Sequence, residues 1–163
     1  MTGVTTHDRT PGDADVVFQS ELPSLMRNQL KAVFFFNPSQ SNWTAQIRQV
    51  VEQHGVPEIK EAGGKITLAL RGNAQTQTLF VVNPQVPDLL EGVIIYSRLD
   101  FPEILVLHLA LAGPRRAHGV AAPEAGGALD FLRLITAFTK LAKSIAGVER
   151  LRFAYWNLAI PIV

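Results

Sequence analysis

The chain predicts an α+β fold, and three stretches carry that prediction. Two amphipathic helical patterns come first, then a run of closely spaced strands. A strand, a turn holding glycine and arginine, a long helix and a further strand follow over residues 103–156. A length of 163 residues fits one domain with a sizeable core, assigned here to residues 15–163. Residues 1–14, rich in Thr, Asp and Gly, read as a disordered tail.

Val16, Val17 and Phe18 suggest a short first strand. Over residues 21–36, Leu22, Leu25, Met26, Leu30 and Val33 recur at three- and four-residue spacing, the mark of one helical face. Pro23 fits the first turn of such a helix, and Asn37-Pro38 ends it. A second helix is expected from Ser41 or Asn42, either a good cap, to His54, with Gly55 as its stop. Trp43, Ile47, Val50 and Val51 form its apolar stripe.

From Gly63 the period becomes that of β structure. Residues 65–70 (KITLAL), 76–82 and 91–98 read as an antiparallel meander leading into residues 103–111, EILVLHLAL. Simple alternation puts Ile104, Val106, His108 and Ala110 on one face, and Leu105, Leu107, Leu109 and Leu111 on the other. Both faces are apolar apart from His108, so this strand should be central and covered on both sides. The next helix should be under way from Gly126 or Gly127, with Ala128, Phe131, Leu132, Ile135, Phe138, Ala142 and Ile145 as its stripe and Gly147 beyond its end. LRFAYW, residues 151–156, closes the pattern as a strand.

Composition narrows the functional classes. A net charge of +1 gives no field to attract nucleic acid or a membrane surface, and basic residues are not interleaved with aromatics. The absence of cysteine excludes disulfides, thiolate metal sites and thiol nucleophiles. His7, His54, His108 and His118 show no ligand spacing, so no metal is expected. No apolar run approaches the ~20 residues of a membrane span, and no secretion signal is read, so a soluble, cytoplasmic chain is expected.

Three places hold candidate chemistry. The turn Ala112-Gly113-Pro114-Arg115-Arg116-Ala117-His118-Gly119-Val120-Ala121 lies between strand and helix, where backbone N–H groups favour an anion; its bland reading is a solvated loop. Glu103 opens the central strand and is either a general base or a surface charge. His108 is either a relay group or a neutral core histidine with one satisfied hydrogen bond. Tyr96 and Tyr155 could each donate a proton to a leaving group, but within apolar strands their default reading is a core residue with a satisfied hydroxyl.

The order of these elements resembles the GNAT fold of CoA-dependent N-acetyltransferases, a mostly antiparallel sheet flanked by helices. Arg116-Ala117-His118-Gly119-Val120-Ala121 is similar to that family's pyrophosphate turn, and the strands 76–82, 91–98, 103–111 and 151–156 look like its second to fifth. The resemblance implies acetyl-CoA as co-substrate and direct acyl transfer to an amine, or an acyl-CoA-binding or interaction domain without catalysis. It further implies that Arg115, Arg116, Ala117, His118, Gly119, Val120 and Ala121 hold the diphosphate. Leu109 and Leu111 would pair with the pantetheine arm, and Glu103 or His108 would relay the amine proton. The segment 122–127 lengthens the family's turn, and its next helix and last two strands have no counterpart. An exposed strand over residues 151–162 would then invite a homodimer. An unrelated α+β domain is compatible with the same pattern.

Overall fold

The computed structural model describes residues 16–100, 102–112, 116–117, 120–121, 131–156 and 158–162. The expected tail lies outside these residues, as do Arg115, His118, Gly119, the segment 122–127 and the expected helix start at Gly126 or Gly127.

In chain order the first elements are β1 (Val17–Gln19), β2 (Leu22–Pro23), α1 (Arg27–Leu30), α2 (Thr44–His54), β3 (Pro57–Ala62), β4 (Lys65–Leu70) and β5 (Thr76–Val82). They continue with β6 (Leu90–Asp100), β7 (Glu103–Leu111), β8 (Arg116–Ala117), β9 (Val120–Ala121), α3 (Phe131–Lys143), β10 (Arg150–Phe153) and β11 (Leu158–Pro161). The fold is α+β. A mixed six-stranded sheet runs β1-β5-β6-β7-β10-β11, beside a three-stranded sheet β2-β4-β3. Within the large sheet only the β7–β10 pair is parallel, as required of strands joined through a crossover that contains a helix.

The large sheet is covered on both faces. Against one lie Leu22, Met26, Leu30 and Val33 from the N-terminal segment, Val50 of α2, and Ile66, Leu68 and Leu70 of β4, packed with Phe80, Leu105 and Leu107. Against the other lie Leu134, Ile135, Phe138 and Ala142 of α3, packed with Val81, Ile94, Ile104, Val106 and Leu109. Apolar burial on both sides of β7 is what its continuous hydrophobic run requires.

Several expectations are corrected. The helix expected over residues 21–36 is broken into β2, a 3-10 turn at Ser24–Met26, the short α1 and a π turn at Lys31–Phe35. Leu22, Met26, Leu30 and Val33 are buried as the spacing demanded, but Leu25 is exposed. KITLAL leaves the main meander: it forms β4 and pairs with β3, a strand the sequence reading missed. In α3 the buried stripe runs through Leu134, while Leu132 points to solvent, one step too far around the helix. The last expected strand is shorter: β10 stops at Phe153, and 154–156 form a turn. Residues 158–161 then return as β11, antiparallel to β10, so within the expected 151–162 stretch it is β11 that forms the outer edge of the sheet.

Candidate functional site

β7 changes character halfway along its length. From Glu103 to Val106 it is paired on both edges, antiparallel to β6 and parallel to β10. The last bond toward β10 is the Ala154 N–H donating to the Val106 carbonyl at 2.9 Å. Beyond it β10 has ended, and the strand beside β7 is gone.

A β-bulge sits at this point. Ile95 pairs with His108 and Tyr96 with Val106, leaving Leu107 as the extra residue. One added residue reverses the alternation that sequence reading assumed to be unbroken. Leu105, Leu107 and Ala110 now share one core, and Ile104, Val106 and Leu109 the other, with Leu111 packed against the latter. The bulge also turns the backbone. The Ala112 N–H donates to the Glu91 carbonyl at 2.9 Å, so alternate residues face β6 and the carbonyls of Leu109 and Leu111 face the opened edge.

Those two carbonyls are taken by side-chain amides from the N-terminal half. Gln40 Nε2 donates to Leu109 O at 3.0 Å, and Asn37 Nδ2 to Leu111 O at 2.7 Å. Asn37 Nδ2 also donates to Val33 O at 2.9 Å. The placement follows from the π turn, where Phe36 N–H reaches back to Lys31 O at 2.9 Å and the widened turn carries Asn37 against β7. A 3-10 segment, Pro38–Trp43, then carries Gln40 along the same edge.

Below these caps lies a buried polar pair. His108 Nδ1 stands 2.6 Å from Tyr155 Oη, and His108 is 2 % exposed. Burial holds His108 down at a pKa of about 4, with His54 adding a smaller push in the same direction, so the ring is neutral near pH 7. Burial also pushes the Tyr155 hydroxyl well above the usual phenol range. Among the described residues the buried His108 Nε2 has no hydrogen-bond partner, and the pair sits among aromatic rings. Phe34 meets the His108 ring edge-on at 5.6 Å, Trp43 stacks on Tyr155 at 6.4 Å, and Trp156 contacts Trp43 at 5.2 Å. The crevice between β7, Phe153 and the 154–156 turn is too narrow to admit a water molecule.

Glu103 is elsewhere. It begins β7, five residues before His108 and so about 16 Å along the strand. Its Oε2 accepts from Arg150 Nε at 2.6 Å, and its Oε1 pairs with Arg152 Nε at 2.8 Å. The structure therefore does not bring Glu103 and His108 together. Arg116 and Ala117 pair antiparallel with Ala121 and Val120, as β8 and β9, and the described part of α3 begins only at Phe131. Among the described residues no group of three His, Cys, Asp or Glu is poised to hold a metal ion, and no helix is long and apolar enough to cross a membrane.

Tyr96 behaves as the sequence reading expected, donating its buried hydroxyl to Gln77 Oε1 at 2.7 Å. Asn37, Gln40, Trp43, Arg150 and Arg152 were not anticipated, nor was the pairing of Tyr155 with His108. Only the amide-rich run NPSQSN after three phenylalanines marks the capping segment, and nothing in it announces a partner some 70 residues away. The opened edge can accept N–H donors from any extended chain carrying amides, provided Asn37 and Gln40 give way. No family model, curated protein or solved structure matches this chain.

Proposed function

We propose that the chain binds a CoA thioester along the second half of β7 and passes the acyl group directly to an amine, as an N-acetyltransferase of GNAT type. The observation that carries this reading is the bulge at Leu107 together with the loss of the β10 partner beyond Val106. It turns two backbone carbonyls, those of Leu109 and Leu111, onto an edge with no strand beside it. The pantetheine arm is an extended chain with two amides, suited to replace Asn37 and Gln40 there. Arg115, Arg116 and the 116–121 backbone would hold the diphosphate. In the transfer the amine nitrogen forms the new bond to the acyl carbon, the C–S bond breaks, and the proton lost by the amine ends on the CoA sulfur. His108 is the relay group nearest the crevice, and Glu103 the candidate at the far end.

One observation favours a second reading, an acyl-CoA-binding or interaction domain without catalysis. Two arginines hold Glu103 at the start of β7, about 16 Å along the strand from the crevice, out of reach of an amine placed there.

Acetyl-CoA titration tests both readings. Trp156 lines the crevice and Trp43 packs against it, so intrinsic fluorescence reports on it. A saturable change in emission and a raised melting temperature are expected. Arg116→Ala should weaken binding about tenfold, and Arg71→Ala should not. No saturable change at millimolar ligand removes both readings. Binding without release of free CoA in the presence of amines selects the second.

A further inference from the structure

The sheet face turned away from α3 ends in three charges that the crevice does not use. In β10, Leu151 and Phe153 are buried on the α3 side, so Arg150 and Arg152 project from the opposite face. Glu103 stands beside them on β7, directly paired with Arg150 in the sheet. We propose that Arg150 and Arg152 form a binding site for an oxyanion, the terminal group of a phosphate monoester or a carboxylate.

The geometry is that of a held pair of forks. Each guanidinium is anchored through its inner nitrogen, Arg150 Nε at 2.6 Å and Arg152 Nε at 2.8 Å, to a separate oxygen of one carboxylate. Glu103 is the sheltered member, its side chain 14 % exposed against 55 % and 50 % for the arginines. Beyond those anchors each arginine side chain is about half exposed to solvent. A planar fork offering paired N–H groups matches carboxylate and phosphate oxygens in a way that a lysine does not. Arg71 shows the contrast: Glu58 takes both its Nε and its Nη2, so that fork is already spent.

Charge points the same way. Two cations share one carboxylate, and the positions across from them on β11, Pro161 and Ala159, carry no charge. The scaffold is the fully paired half of β7, which fixes where the guanidinium stems leave the backbone. Glu103 is a positioning residue here, and the site does not depend on the thioester reading.

The test uses the full chain without CoA. Arginine Nε–Hε signals are followed by NMR while inorganic phosphate, and separately acetate, is titrated at constant ionic strength. Saturable shifts at Arg150 and Arg152 are expected, with Arg71 unmoved. Arg150→Lys and Arg152→Lys keep the charge but lose the fork, and each should weaken binding about tenfold. Tighter phosphate binding assigns a phosphate ester, tighter acetate binding a carboxylate, and equal affinity a general oxyanion site. Shifts that grow linearly without saturation, or lysine variants that bind as tightly as the parent, overturn the proposal. If a lysine variant does not fold, saturation in the parent chain still decides.

Discussion

Gly55→Ala is expected to lower the unfolding free energy by about 3 kcal/mol or more. Gly55 ends α2 with φ +112° and ψ 162°, a region that residues with a side chain rarely enter. A Cβ there would lie 2.3 Å from the Arg71 carbonyl oxygen. That obstacle is backbone, so no rotamer change relieves it. Arg71 is itself tied down, since its N–H donates to Val56 O at 2.9 Å and its side chain is paired with Glu58. The corner where α2 turns into β3 therefore has nowhere to move. Gly72→Ala supplies the comparison. Gly72 also has positive φ, +74°, but open space where a Cβ would stand, so only the conformational cost of about 1 kcal/mol applies. Urea unfolding of both variants measures the difference, and a Gly55→Ala loss no larger than that of Gly72→Ala would show that the corner yields.

Acidification is expected to cost this protein stability through His108. In the folded chain burial holds its pKa at about 4, against 6.5 for an unperturbed histidine. Above pH 6.5 both folded and unfolded states hold the ring neutral, and the fold is unpenalised. Between 6.5 and 4 the unfolded chain takes up a proton that the folded one refuses, so stability falls as pH falls. The full difference is about 3 kcal/mol, complete near pH 4. His54 is depressed in the same direction by burial and contributes with the same sign. The His108→Gln variant isolates the buried ring. Denaturant unfolding of the parent at pH 7 and 4.5 should show a loss that largely disappears in the variant. Equal losses in both would mean that the His108–Tyr155 pair accommodates the charge.

How far these features were legible in the sequence depends on whether they are local. Apolar runs over 76–82, 91–98 and 103–111 gave three adjacent strands in the right order, and the stripe through Ile135, Phe138 and Ala142 gave the helix that covers them. His108 stood out as the single polar side chain in an apolar run. The bulge did not, because Leu107 is extra only relative to the register of β6, and a strand's own sequence does not contain its partner's register. From that miss followed the wrong face assignment for Leu109 and Ala110. The amide caps, the Tyr155 partner and the arginine pair escaped for the same reason. Each is a contact across roughly 45 to 75 residues, made by side chains with no periodicity of their own. The π turn was missed because its sequence, KAVFF, satisfies helical spacing equally well.

The half-paired state of β7 also bears on how the sheet avoids sticking to other chains. Unpaired strand backbone is a template for aggregation, and long flat edges are the hazard. The outer edges here are short: β1 has three residues and β11 has four, one of them Pro161, which has no N–H to offer. The longest strands, β6 and β7, are kept inside. The stretch of β7 beyond Val106 would be a third edge within the sheet, and Asn37 and Gln40 close it as a neighbouring strand would, with two amide groups. Opening the crevice therefore uncovers sticky backbone, and whatever enters must satisfy both carbonyls before a second chain does.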